Sequence, residues 1–159
     1  MSIIARLEEL GLELPQPAAP VASYVPTQIV GELLYISGQV SMTDGQIIKG
    51  CLGGSPAAGI TALSLEEGIA AARACGIMLL AQARAALEGD LDRVASCVRL
   101  GGFVASTADF FDHPKVINGA SDLMLDVMGD AGKHTRAAVG VPSLPLGAAV
   151  EIDGIFRIR

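Results

Sequence analysis

The sequence predicts an α+β fold: a mixed β-sheet covered on one face by two substantial helices. Three observations predict it. Strand-like and helix-like segments follow one another in an order near α-β-β-β-α-β-α-β-β; two long segments carry apolar stripes at helical spacing; and the final segment alternates apolar and charged residues, as a strand with one buried face does.

Taken in order, Ile3, Ile4, Leu7 and Leu10 recur at helical spacing and Gly11 supplies a stop. Pro15, Pro17 and Pro20 then force an extended crossing from Leu14 to Ala22. The whole chain, 1–159, reads as a single domain, with the helix and tether of 1–22 packed on it. Tyr24 to Val30 and Leu33 to Ile36 are strands joined by a tight hairpin at Gly31-Glu32, and Ser37-Gly38-Gln39 ends the second. Asp44-Gly45 marks a turn before a short strand from Gln46 to Lys49. The glycine-rich stretch from Gly50 to Thr61 lacks the Lys-Ser/Thr of a phosphate loop and reads as a loop able to fold over a site.

Ser64-Leu-Glu-Glu67 is a capping box that opens a helix from Leu65 to Glu88, ended by Gly89-Asp90. Its stripe runs through Ile69, Ala72, Gly76, Leu79, Leu80, Ala83 and Leu87, which leaves Arg73 and Arg84 on a solvated face. A strand from Val94 to Val104 follows, in which Arg99 is expected to pair across strands or to reach solvent. Thr107 to Pro114 is a connection with a turn of helix around Asp109 to Phe111, and His113 reads as an exposed loop residue. Val116, Ile117, Ala120, Leu123, Met124, Val127 and Met128 trace a second buried helical stripe, with Asn118 beside it.

Composition sets bounds on function. With 51% hydrophobic and 18% charged residues the chain is not disordered, and its 4% aromatic content without Trp offers few rings for base stacking. A net charge of −6 argues against nucleic-acid and anionic-membrane partners. The charges in MSIIARLEELG do not suit a signal peptide, and no apolar run is expected to reach the length of a membrane span, so the expected location is the cytoplasm. Cys51, Cys75 and Cys97 lack metal-ligand spacing and read as buried free thiols; no metal is expected.

The richest chemistry lies in HTRAAVGVPSLPLGAAVEIDGIFRIR, from His134 to Arg159. Thr135 to Val141 reads as a strand with Arg136, Ala138 and Gly140 on one face, and Pro142, Pro145 and Gly147 then break the pattern. In the strand from Ala149 onward, Val150, Ile152, Phe156 and Ile158 point one way while Glu151, Asp153, Arg157 and Arg159 point the other. A hairpin of the two would bring Arg136 near Glu151 or Asp153. Arg136 opens an otherwise apolar strand; it is either a rim arginine with its head in water or paired with a nearby acid, or a guanidinium fork for a carboxylate ligand, and periodicity does not separate these. His134 is either a titrating group or a plain loop residue.

Arg136-Ala-Ala-Val-Gly-Val, then Leu144-Pro145, then Val150-Glu151-Ile152, resemble the C-terminal signature of the Rid/YjgF family, the reactive intermediate deaminases also labelled L-PSP endoribonuclease-like. Tyr24, Ser37-Gly38-Gln39 and Asn118 in VINGASDL match in the same order, so the resemblance runs from Tyr24 to the C-terminus. It implies a chorismate-mutase-like fold, a homotrimer with a site in each cleft between subunits, and no cofactor. The implied activity is hydrolysis of 2-imino acids or enamines to 2-keto acids and ammonia. Arg136 would hold the substrate carboxylate, the carbonyl of Ala138 and the side chain of Glu151 would hold the water, and Tyr24, Gly38 and Asn118 would line the pocket. Two departures stand out: Ala138 occupies a position where many of the family's deaminases carry cysteine, and the extra N-terminal length suggests a longer subgroup. The alternative is a trimeric, non-catalytic binder of small carboxylates; ribonuclease and chorismate mutase activities rank lower.

Overall fold

The computed structural model describes residues 2–17 and 23–159. The expected proline tether is described as far as Pro17, while Pro20 and the remainder of it lie outside the described residues.

Helix α1 (Ile3–Glu9) is capped by Ser2, whose hydroxyl accepts from the Ala5 amide, and it is tied to the body by Asp92. That carboxylate accepts from Ser2 Oγ at 2.8 Å and from the Ile3 amide at 2.6 Å. Past the helix, Arg84 donates to the carbonyls of Leu14 and Pro15, which lays the chain over the second helix.

Strands β1 (Thr27–Val30) and β2 (Leu33–Val40) form the expected antiparallel hairpin, with Gly31 at φ +59 in its turn. Strand β2 runs four residues beyond Ile36, because a bulge between Ile36 and Gln39 absorbs Ser37-Gly38 within the strand. Four short strands follow: β3 (Met42–Thr43) hairpins onto β4 (Gln46–Ile47), and β5 (Cys51–Leu52) pairs in parallel with β6 (Ala62–Leu63). The glycine-rich loop between β5 and β6 is rooted beside Thr107, whose amide donates to the Leu52 carbonyl.

Helix α2 (Leu65–Ala86) starts at the predicted capping box, with both reciprocal bonds formed. By length and composition it could span a membrane, contrary to the sequence expectation, but its apolar side lies on the sheet and on the next helix, and 56% of its most apolar window is buried. Strand β7 (Val94–Ala105) leads through an irregular connection to helix α3 (His113–Met128). No helical turn forms at Asp109 to Phe111; α3 starts instead at His113-Pro114, where proline's fixed φ and missing N–H suit a first turn. Strands β8 (Thr135–Val141) and β9 (Val150–Ile158) complete the chain.

The main sheet has the order β1-β2-β9-β7-β8. The predicted hairpin between the last two strands is therefore wrong: β9 pairs antiparallel with β2 and β7, and β8 pairs in parallel with the far side of β7. Strand β7 supplies Leu100, Gly102 and Val104 to the buried side, and β9, with Val150, Ile152 and Phe156, needs apolar neighbours on both flanks. β8, by contrast, is too exposed to serve as a central strand. The core lies between this sheet face and α2 and α3, with Phe156, Leu79, Leu80, Leu100, Ile117, Leu123 and Met124 fully buried. The three cysteines are buried and free, and burial pushes the Cys97 thiol up to about 12.

Candidate functional site

Residues paired across neighbouring strands point to the same side of a sheet, so register assigns each candidate to a face. Leu100 pairs with both Arg136 and Gly154, and Gly102 pairs with Ala138 and Ile152; Arg136 and Ala138 therefore lie on the helix-covered side. Phe103 pairs with Val139 and Glu151, and Gly101 with Ala137 and Asp153; Glu151 and Asp153 lie on the opposite, uncovered side. Within one chain Arg136 and Glu151 thus sit on opposite faces, with β7 between their strands. The expected approach of Arg136 to Glu151 or Asp153 does not occur, because the intervening strand and the face alternation both forbid it.

The first half of the site surrounds Arg136. Its Nη1 donates to Asn118 Oδ1 at 2.8 Å and to Ser121 Oγ at 2.9 Å, and its Nη2 donates to the Pro114 carbonyl at 3.1 Å. All three acceptors belong to the first nine residues of α3, where Asn118 and Ser121 are one turn apart and face the sheet edge. Among the described residues no carboxylate pairs with Arg136, and Nε–H and the second Nη2–H have no acceptor. The guanidinium is held in place by neutral groups, which leaves its positive charge uncompensated and one edge open.

His134 completes this half: its Nε2 lies 2.9 Å from Ser121 Oγ and its Nδ1 lies 2.6 Å from the Gly132 carbonyl. A concavity of about 290 Å³ opens here, walled by Ser121, Leu125, Gly132, Lys133, His134 and Arg136. Ser121 was missed in the sequence because its small polar side chain sits within an apolar stripe. Its spacing of three from Asn118 was the only available signal.

The second half lies on the uncovered face. Gly38 lies directly against Glu151, so that a Cβ there would collide with the carboxylate. Gly38 is thus a position where a polar group approaches the backbone, and that group is the protein's own glutamate. Burial, and then the negative charge of Asp153, raise the Glu151 carboxyl above its ordinary value. Asp153 is bound by Arg99 at 3.2 Å, the cross-strand pairing that is one of the two expectations for that arginine. Ser37 Oγ donates to the Val25 carbonyl and the Ser37 amide to the Pro26 carbonyl, which places the Tyr24 segment beside Gly38; Tyr24 itself is 56% exposed. A cleft of about 440 Å³ lies on this side, bounded by Val25, Gln28, Tyr35, Ser37, Arg99 and Asp153 among others.

The six predicted site residues therefore fall into two groups, Arg136, Ala138 and Asn118 at the sheet edge and Tyr24, Gly38 and Glu151 on the open face. His113 belongs to neither. It is half-buried rather than an exposed loop residue, with Nε2 3.0 Å from Ser106 Oγ, its ring against Phe110 and the bare backbone of Gly140 alongside. Among the described residues no cluster of His, Cys, Asp or Glu could hold a metal.

The chain has counterparts among known proteins. The sequence model of the family described as "YjgF/chorismate_mutase-like, putative endoribonuclease" matches residues 4–154. The chain belongs to the YjgF family. Protein TCP17 of Trypanosoma cruzi is 45% identical over 99% of this chain and 94% of its own length. The crystal structure of Atu1372 from Agrobacterium tumefaciens is 44% identical, with TM-score 0.85 over 98% of this chain and 91% of that one. A candidate endoribonuclease of Shewanella oneidensis MR-1 is 33% identical, with TM-score 0.90 over 99% and 100%. These three matches each cover 98–99% of this chain.

Proposed function

We propose that this YjgF-family chain is a cofactor-independent hydrolytic deaminase of 2-imino acids and their enamine tautomers, working as a homotrimer whose sites each combine halves from two adjacent copies. The observation that carries this reading is the state of Arg136: a rigidly held cation with three neutral acceptors, no acidic partner among the described residues and an open N–H edge suited to one carboxylate. The separation of Arg136 from Glu151 supports a shared site, since a single copy does not bring anchor and base together.

In the reaction, Arg136 and Asn118 hold the carboxylate end while Tyr24 and Gly38 of the neighbouring copy close the pocket. Glu151 takes a proton from water as the oxygen adds to C2, and the C=N π pair moves to nitrogen. Glu151 then returns the proton to the amine. The C–N bond breaks as the hydroxyl oxygen's lone pair forms the carbonyl, and Glu151 carries the hydroxyl proton to the departing ammonia, so iminium and water become keto acid and ammonium. The raised pKa of Glu151 brings it closer to that of a useful proton carrier. Positioning supplies most of the acceleration, because an imine hydrolyses readily. Ala138 contributes only its backbone carbonyl, so the absent thiol leaves this chemistry intact.

The test is to generate 2-iminobutanoate in situ and follow keto-acid and ammonia release with wild type and Arg136→Ala. Acceleration that disappears in the variant supports the proposal; tight 2-ketobutanoate binding without acceleration would replace it with the binding-protein reading. Ribonuclease action is disfavoured by the net charge of −6 and by the two histidines, each tied to its own serine at different ends of β8.

A further inference from the structure

Next to the anchor is a hydrogen-bond chain whose direction follows from chemistry. A carbonyl oxygen only accepts, so the 2.6 Å contact between the Gly132 carbonyl and His134 Nδ1 requires the proton on Nδ1. In the neutral ring Nε2 is then a lone pair, and the Ser121 hydroxyl, 2.9 Å away, donates to it. Ser121 Oγ is left with its lone pairs for Arg136 Nη1, also at 2.9 Å. Ser121 is only 9% exposed, so its hydroxyl proton has little water to turn to, and His134 is its acceptor among the described residues. The order is Arg136 to Ser121 to His134 to Gly132, each donating to the next.

We infer that His134 is a positioning residue for the carboxylate anchor: acting through Ser121, it fixes the guanidinium so that the Nε–Nη2 edge faces the open side. Without an acceptor at Nε2 the Ser121 hydroxyl loses its defined direction, and one of two bonds locking Nη1 loosens. Pro114 and Asn118 then hold the head alone, and it swings about its stem. The concavity bounded by His134 and Arg136 gives the head space to do so. This inference rests on the proposed anchoring role of Arg136 only for its functional readout; its structural readout is independent.

Two measurements test it. Long-range proton–nitrogen spectra of the full-length protein should show His134 as the Nδ1–H tautomer and the Arg136 Nη signals as resolved, because rotation of the head is hindered. In His134→Phe and in Ser121→Ala the Nη signals should merge. In His134→Gln, which keeps a polar acceptor near the Nε2 position, they should stay resolved. An Nε2–H tautomer, or Nη signals that remain resolved in both disruptive variants, overturns the inference whatever the protein binds.

With 2-ketobutanoate as probe, Kd and KM should rise about tenfold in His134→Phe and Ser121→Ala, the scale of one charge-assisted hydrogen bond, with kcat within about twofold. His134→Gln should restore both to within about twofold of wild type. A loss of kcat at constant KM would assign His134 a different role and overturn the inference. If wild type binds no keto acid, the functional proposal fails while the nitrogen spectra still decide the role of His134.

Discussion

The two halves of the site differ in what holds them. At the sheet edge, a cation is gripped by three neutral oxygens and keeps an open edge. On the open face, a carboxylate lies over a bare glycine, near a second carboxylate that has an arginine of its own. The first half is over-determined in geometry and uncompensated in charge; the second carries a desolvation penalty that folding alone does not require. Held on opposite faces of one sheet, the two side chains do not meet within one copy.

The largest effects should come from removing the anchor or the base. Arg136→Ala is expected to lower kcat/KM by roughly 10²–10³, the scale of a bidentate charge-assisted contact, with the melting temperature little changed because no buried partner charge is orphaned. Unchanged turnover would erase the distinction between the halves.

Glu151→Gln is expected to lower kcat by roughly 10²–10⁴ while keto-acid binding persists, as the loss of a proton carrier requires. Its pH behaviour follows from the raised pKa. Activity that needs the carboxylate falls as pH drops through the folded value. Stability has the opposite sense: between the unfolded and folded values the folded chain binds more protons, so stability declines as pH rises through that window. Glu151→Gln should therefore melt no lower than wild type at neutral pH, with the difference shrinking in acid; a clearly lower neutral melting temperature would contradict the penalty argued for this half.

Mixing the two dead variants sharpens the comparison further. Co-refolded Arg136→Ala and Glu151→Gln chains should recover about a quarter of wild-type activity, since random assembly pairs an intact edge half with an intact face half in one junction of four. No recovery would mean that both halves come from the same copy. A smaller effect is expected at Gly38→Ala, where the added methyl displaces the Glu151 carboxylate; a drop in kcat of about tenfold, and a melting penalty that shrinks in a Glu151→Ala background, would mark the coupling of neighbours.

The smallest effect is expected far from either half. Burial raises the Asp92 carboxyl, but the hydrogen bonds from Ser2, Ile3 and Ile4 outweigh it and hold the group below its ordinary value. Its contribution is present above the unfolded pKa and is lost as pH falls through the folded one. Asp92→Asn should lower the melting temperature slightly at neutral pH, converge with wild type in acid, and leave kcat/KM unchanged.

Much of this was legible in the chain. The capping box at Ser64, the hairpin at Gly31 and the stripe of α3 each depend on residues close in sequence, and each formed where its pattern placed it. The family signature picked out Arg136, Glu151, Gly38 and Asn118. Strand order was not legible: the turn after Val141 has every local sign of a hairpin, yet β7 lies between its arms. Ser121 was marked only by its spacing from Asn118, since a serine inside an apolar stripe becomes significant when an arginine from a distant strand reaches it.

By itself, then, the sequence determined the elements, their buried faces and the residue types of the chemistry, because periodicity, capping and turn preferences act over a few residues. Only the tertiary structure decided which strands are neighbours, that among the described residues Arg136 is held without an acid, that Gly38 makes room for Glu151, and that Arg136 and Glu151 lie on opposite faces. Those depend on register and on packing between segments far apart in the chain, where one strand's place in the order changes every lateral partner and no local pattern records the choice.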